Sequence, residues 1–327
     1  MERRDPNDRA EFVICTGSLG SGKTTLLVDY LSTEVTSETG VIINDAGEVN
    51  VDGAIIGTDY RNLSLAELSD GCICCSLGNG VQQGIDALLR ARAERSLGPP
   101  RRIILETSGL AEPGPLVRSL REVRQMAFDL RIVGTFDASR PHIGDDFLPQ
   151  YAAQLAVAQT IVLTKLDVTP SDRWLARARD ARRFNPFAIQ VTESEPVKRA
   201  RAAFSKRQLE HAPRASQFST AAASSSRITV ACARWDPNAT WDEICEWIEN
   251  MTGFLGSRLL RLKGLLRPAG FTSPVLINGI AEALAPPRLV RVGDDAMLGL
   301  IMILRDVTKD ELSITFGLPS TPELKFQ

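Results

Sequence analysis

Long apolar runs are missing from this sequence. No stretch approaches the ~18 consecutive apolar residues that a membrane-crossing helix requires. The opening Met1-Glu2-Arg3-Arg4-Asp5-Pro6-Asn7-Asp8-Arg9 is polar and lacks the apolar centre of a signal peptide, so a cytoplasmic location is expected. An excess of either charge is missing too. With 38 basic and 40 acidic residues the net charge is −2, and no global field attracts nucleic acid or an anionic membrane. Neither is expected as a partner. Histidine is nearly absent, His142 and His211 being the only two, so imidazole has little to offer a metal site. No internal repeat is evident. The six cysteines, in a reducing compartment, argue for thiols, metal ligands or redox chemistry rather than a disulfide framework.

What is present is a globular composition, 43% hydrophobic over 327 residues, enough chain for two domains. After a tail over residues 1–11, short β-branched runs alternate with helical patterns, which predicts an α/β domain with a mainly parallel sheet over 12–193. Strands are expected at Val13–Thr16, Val41–Ile43, Arg102–Glu106, Arg131–Phe136, Ile161–Leu163 and Ala188–Val191. A helix is expected over Ser171–Phe184, with Ser171 as its N-cap and Trp174, Leu175 and Ala178 on one side. Its arginines, Arg173, Arg177, Arg179, Arg182 and Arg183, read as a solvated face. Residues 194–226 read as a linker with one short helix near Ala200–Leu209. A smaller α+β domain of mostly antiparallel strands is expected over 227–327, opened by the capping box Thr240-x-x-Glu243.

Gly17-Ser18-Leu19-Gly20-Ser21-Gly22-Lys23-Thr24-Thr25 fits the phosphate-binding pattern G-x-x-x-x-G-K-[ST], between an apolar strand and an amphipathic helix. Glycines let backbone N–H groups curl around phosphates at the positive end of a helix. Lys23 is placed to reach the β- and γ-phosphates, and Thr24 to take a position on Mg²⁺. Arg102-Ile103-Ile104-Leu105-Glu106 is an apolar strand ending in a carboxylate, with Glu106 where Asp is commoner, set to hold Mg²⁺ through water. In the segment that follows, Gly109 stands where a backbone amide senses the γ-phosphate.

Thr164-Lys165-Leu166-Asp167 resembles the guanine-reading Asn-Lys-x-Asp signature, whose Asp accepts hydrogen bonds from guanine, so GTP is favoured over ATP. Thr164 replaces an amide that both donates and accepts. Gly71-Cys72-Ile73-Cys74-Cys75 puts three thiols within four positions. Thiolates so spaced suit Zn²⁺ or Cu⁺ and tolerate Co²⁺, although a redox thiol pair or three buried small residues would satisfy the same spacing. Cys232 and Cys245, isolated in the second domain, read as packing residues. His142 follows Asp137 near the strand ends, and His211 lies in the linker with no signal.

The order of these motifs, with Asn44-Asp45-Ala46-Gly47-Glu48, Asp52 and Gln154-Leu155-Ala156-Val157-Ala158, resembles the CobW-like metallochaperone GTPases over residues 12 to about 192, and more weakly through Arg258-Leu-Leu-Arg-Leu-Lys263-Gly264. The resemblance implies a P-loop G domain that hydrolyses GTP and carries Zn²⁺, Co²⁺ or a related ion on Cys72, Cys74 and Cys75. It also implies a client metalloenzyme or cofactor-biosynthesis protein, and a monomer or nucleotide-dependent dimer. Two departures stand out. The family's Asn-Glu-Phe-Gly is here Asn44-Asp45-Ala46-Gly47, one methylene shorter at the acid that would contact Mg²⁺, and the family's histidine-rich stretch is absent. A second reading keeps the nucleotide switch but makes the chain an assembly factor for a client enzyme, its cysteines sensing redox state.

Overall fold

The computed structural model describes residues 10–32, 38–43, 64–67, 80–109, 128–140, 148–205, 228–280, 283–292, 297–312 and 321–326. Two compact units divide the chain, one formed by 1–181 with 188–207 and the other by 182–187 with 208–327.

In the first unit the short apolar runs form strands β1 (Glu11–Thr16), β2 (Thr39–Ile43), β3 (Ser64–Glu67), β4 (Arg102–Glu106), β5 (Asp129–Asp137), β6 (Thr160–Thr164) and β7 (Ile189–Val191). They pair in the order β3-β2-β4-β1-β5-β6-β7, every described pair parallel. Such a sheet is apolar on both faces because helical crossovers cover both. Every residue of β1 is buried accordingly. Strand β3 carries too few β-branched residues to be expected from its sequence. Because β4 lies directly against β1, with Cys15 opposite Glu106, the acid at the end of β4 stands beside the loop that leaves β1.

The covering helices are α1 (Lys23–Leu31), α2 (Gly80–Glu94), α3 (Leu148–Val157), α4 (Trp174–Phe184) and α5 (Pro196–Phe204). Helix α1 buries Leu26, Leu27, Tyr30 and Leu31, the face its periodicity predicts. The predicted 171–184 helix begins instead as a 3-10 turn, Ser171–Arg173, without a side-chain cap, and Leu175 is exposed. The helix expected near 200–209 runs over Pro196–Phe204, with Pro196 at its first position, where a missing N–H costs nothing. It is no free tether. Ala200, Ala203 and Phe204 are buried in one cluster with Leu27, Tyr30 and the sheet, and the Phe204 and Tyr30 rings lie 4.7 Å apart. Burying a ring of this size contributes about 1.5–3 kcal/mol.

The second unit contains β8 (Ile228–Arg234), α6 (Trp241–Leu255), β9 (Leu259–Leu266), β10 (Val275–Ile280), β11 (Ala283–Leu284), β12 (Arg288–Leu289), β13 (Gly299–Arg305), α7 (Lys309–Leu312) and β14 (Glu323–Phe326). Its sheet runs β11-β10-β9-β13-β8-β14, with β12 on β10, and its described pairs are antiparallel. The capping box forms as its sequence predicts: Glu243 N–H donates to the Thr240 hydroxyl at 3.3 Å, and Thr240 N–H to the Glu243 carboxylate at 2.8 Å. Helix α6 buries Ile244, Trp247, Ile248, Met251 and Leu255 on the sheet. Cys232 is buried and Cys245 half-buried, both as free thiols. Gly264 lets β9 approach β13, since a Cβ there would lie 2.2 Å from the Gly299 carbonyl. Among the described residues no helix is long and apolar enough to cross a membrane.

Candidate functional site: a phosphate loop at the carboxyl ends of β1 and β4

The loop between β1 and α1 is shaped by glycine and fastened by hydroxyl groups. At Gly17 a Cβ would fall 2.1 Å from the Thr135 hydroxyl, and Gly22, which caps α1, has a left-handed φ of 87°, a conformation that costs glycine little. The Ser21 and Thr135 hydroxyls share a hydrogen bond of 2.6 Å. From the other side the Thr164 hydroxyl lies 2.7 Å from the Ser21 carbonyl and 3.2 Å from the Phe136 carbonyl. Strands β5 and β6 thus hold the loop from beneath. Lys23 is only 7% exposed, and its ammonium donates to the Gly17 and Ser18 carbonyls at 3.1 and 3.2 Å. Gly20 also takes a left-handed conformation, and Thr25 is exposed on α1.

Beside the loop the Thr24 hydroxyl donates to Glu106 at 2.7 Å, and Glu106 is 3% exposed. A hydroxyl and a carboxylate so placed would suit Mg²⁺, which prefers oxygen ligands, Thr24 holding it directly and Glu106 through water. The donor set fits that ion. Cys15 sits behind it, buried, its thiol pushed up first by burial and then by the Glu106 charge; it stays a neutral packing group. Gly109 touches the loop directly, since a Cβ there would lie 2.5 Å from the Leu19 nitrogen. Its carbonyl accepts from the Gln154 amide at 3.1 Å.

On the side of the Thr164–Asp167 loop the centre is Asp137, a residue that its sequence does not mark as part of the site. Its carboxylate accepts from Lys165 at 2.7 Å, pairs with Arg140 at 3.1 Å, and takes the Ser139 N–H and hydroxyl at 3.0 and 2.6 Å. Burial pushes its pKa up, but the hydrogen bonds from Lys165 and Ser139 and the Lys165 charge outweigh it, leaving the acid below the ordinary range. Lys165 adopts a positive φ of 56°, uncommon for a residue with a side chain. Thr164 turns its hydroxyl into the protein, and Asp167 is exposed at the loop's end. Arg140 also donates to the Leu19 carbonyl at 3.2 Å.

Arg177 departs from the solvated arginine face. Its guanidinium lies 4.9 Å from the Phe136 ring centre and donates to the Ala138 and Arg140 carbonyls, strapping the turn that carries Ser139. Arg173, Arg179 and Arg182 are exposed as expected, and the Arg183 side chain lies outside the described residues. Also outside lie Asp45, Asp52, Cys72, Cys74, Cys75, Leu110–Pro113, His142 and His211. Among the described residues no three His, Cys, Asp or Glu side chains gather as a metal site.

A zinc chaperone YjiA of Escherichia coli is 35% identical over 163 residues, 47% of this chain and 49% of the relative. A zinc chaperone CobW of Pseudomonas aeruginosa is 31% identical over 214 residues, 55% of each chain. The chain spans about half the length of the curated relatives it matches. The crystal structure of the Zn(II)-bound YjiA GTPase from E. coli superposes with a TM-score of 0.66 over 93% of this chain and 96% of that one, at 20% identity, a likeness of fold. The family profile described as CobW/HypB/UreG, nucleotide-binding domain, matches residues 11–192. With more than half of its length so matched, the chain belongs to the CobW/HypB/UreG nucleotide-binding family.

Proposed function

We propose that this chain hydrolyses GTP with Mg²⁺ and uses the nucleotide cycle to bind a transition metal and release it to a client protein. The observation that carries the reading is the convergence at the ends of β1 and β4: Lys23 over the loop carbonyls, Thr24 at 2.7 Å from Glu106, and Gly109 against Leu19. Lys23 supplies charge for the β- and γ-phosphates, the loop N–H groups cradle them, and Gly109 senses the terminal one. Mg²⁺ in such a site neutralises charge on the phosphates; Thr24 would hold it directly, Glu106 through water, with Asp45 as a further contact. Asp167, with Thr164 and Lys165 shaping its loop, reads guanine.

The cargo reading rests on relatives named as zinc chaperones and on Cys72, Cys74 and Cys75, whose thiolates suit Zn²⁺ and tolerate Co²⁺. GTP orders Asn44–Asp52 and Ser108–Pro113 and draws the thiols together, and hydrolysis loosens them. The client is a metalloenzyme or a cofactor-biosynthesis protein, met in the cytoplasm by a monomer or a nucleotide-dependent dimer. By linkage, metal then raises GTP affinity by the same factor that GTP raises metal affinity, about 5–150-fold in typical couplings. Titration of Zn²⁺ and Co²⁺ into protein holding GDP or a non-hydrolysable GTP analogue tests this. Tighter metal binding with the analogue is expected, and equal affinities overturn the reading.

A further inference from the structure

Gln154 is a polar side chain in an apolar helix. Its neighbours on α3, Ala153, Leu155, Ala156 and Val157, are buried, and so is Gln154 itself. A buried amide is costly unless it is hydrogen-bonded, and a carbonyl acceptor requires that the amide nitrogen be the group facing it. That acceptor is the Gly109 carbonyl, 3.1 Å away and 45 positions earlier in the chain. Gly109 has no room to drift towards the loop, because a Cβ added to it would already overlap the Leu19 nitrogen and Cα, at 2.5 and 2.6 Å. The residue is gripped from both sides.

The grip connects to the rest of the site. Helix α3 leads within three residues into β6, whose last residue, Thr164, donates to the Ser21 carbonyl in the phosphate loop. Helix α3 is packed closely on β5, where a Cβ at Gly134 would lie 3.4 Å from Leu155 Cδ2 and 3.1 Å from the Cβ of Ala158 just past the helix. A closed path therefore runs from Gly109 through Gln154 and α3 to β6, from Thr164 to Ser21, and from Leu19 back to Gly109.

We propose that Gln154 is a positioning residue for hydrolysis: by holding the Gly109 carbonyl it limits rotation at this glycine and so fixes the direction of the Gly109 N–H that meets the terminal phosphate as that phosphate leaves. The role rests on the GTPase reading above. The Gly109 N–H matters most where charge develops, so its positioning acts on the chemical step rather than on uniform binding. Gln154 touches no substrate and acts through Gly109.

Two variants test it. Gln154→Leu keeps the volume and removes the donor; kcat for GTP is expected to fall about tenfold, with KM and GDP affinity changed less than about twofold. Gln154→Glu keeps the length, and a buried carboxyl is driven towards its neutral form, which donates as the amide does. Its kcat relative to wild type is therefore expected to rise as pH falls from 9 to 6, whereas the Leu variant stays uniformly low. A purely packing role predicts a lowered melting temperature with kcat and GDP affinity falling together, and no recovery of the Glu variant at low pH. That pattern, or an unchanged kcat in Gln154→Leu, overturns the proposal. If Gln154→Leu does not fold, the pH profile of Gln154→Glu decides alone. Wild-type protein that releases no phosphate from GTP refutes the GTPase reading, whereas active wild type with a fully active Leu variant refutes only the role of Gln154.

Discussion

The Thr164 hydroxyl lies 2.7 Å from the Ser21 carbonyl, so the strand that leads into the Thr164–Asp167 loop is joined to the phosphate loop by a buried hydrogen bond. Thr164→Val keeps the shape and removes the donor, leaving the Ser21 carbonyl buried and unpaired. A loss of about 1–3 kcal/mol is expected, with GTP and GDP binding weakened together. Urea unfolding and nucleotide titration measure both, and an unchanged midpoint contradicts the assignment.

Gly109→Ala places a methyl group 2.5 Å from backbone, where no side-chain rotation relieves the overlap. The variant is expected to lose affinity for a GTP analogue by more than tenfold, or about 1.4 kcal/mol, because the phosphate loop must move. Calorimetric titration reads this directly, and wild-type affinity in the folded variant excludes the contact.

Asp137 makes folding stability depend on pH at the acid end. Its folded pKa lies below the ordinary value, so its contribution is complete above the unfolded pKa of about 3.9 and is lost as pH falls through the folded value. Asp137→Asn is expected to be less stable than wild type at pH 7, with the gap narrowing towards pH 3. Unfolding followed at both pH values checks the sign. A gap that widens on acidification refutes it.

Lys263 works in the opposite range. Burial first, and the Arg261 charge second, bring its ammonium down to about 8. An amine whose folded pKa lies below its unfolded value of about 10.4 penalises folding fully below the folded value and ceases to do so above the unfolded one. Lys263→Met is expected to be more stable than wild type at pH 7.5, with the advantage shrinking by pH 9.5. Of the four tryptophans Trp235, Trp241 and Trp247 lie in the second unit and Trp174 in the first, so tryptophan fluorescence read in a Trp174→Phe background follows that transition.

Selectivity for the base tests Asp167, which is exposed at the end of its loop. Asp167→Asn exchanges an acceptor-only group for one that also donates, so GTP binding is expected to weaken about tenfold or more, with ATP binding unchanged. Competition between the two nucleotides gives the ratio. An unaltered ratio removes Asp167 from base recognition.

How much was legible in the sequence follows the distance between interacting residues. The loop at Gly17–Thr25, the acid ending β4 and the capping box at Thr240 are local patterns, and each forms as its spacing requires. The Gln154–Gly109 contact joins residues 45 positions apart, and one glutamine in an apolar helix does not announce its partner. Arg177 shows the same limit. Helical periodicity places it among exposed arginines, and only the position of Phe136 shows why this one leans inward. Helix α5 is legible as a short helix near Ala200–Leu209, and Ala200, Ala203 and Phe204 are spaced i, i+3 and i+4, but nothing local shows that this face packs on Leu27 and Tyr30.

Helix α5 gives the chain a mechanical property. Its Phe204 ring is packed on Tyr30 of the helix that begins at Lys23, and the Ser205 carbonyl accepts from Arg131 of β5. Tension applied to the polypeptide beyond residue 205 is therefore borne by a latch on the nucleotide domain, and reaches the lysine's own helix through two aromatic rings. Force applied at residue 205 and charge at the phosphate loop then act on the same helix, α1.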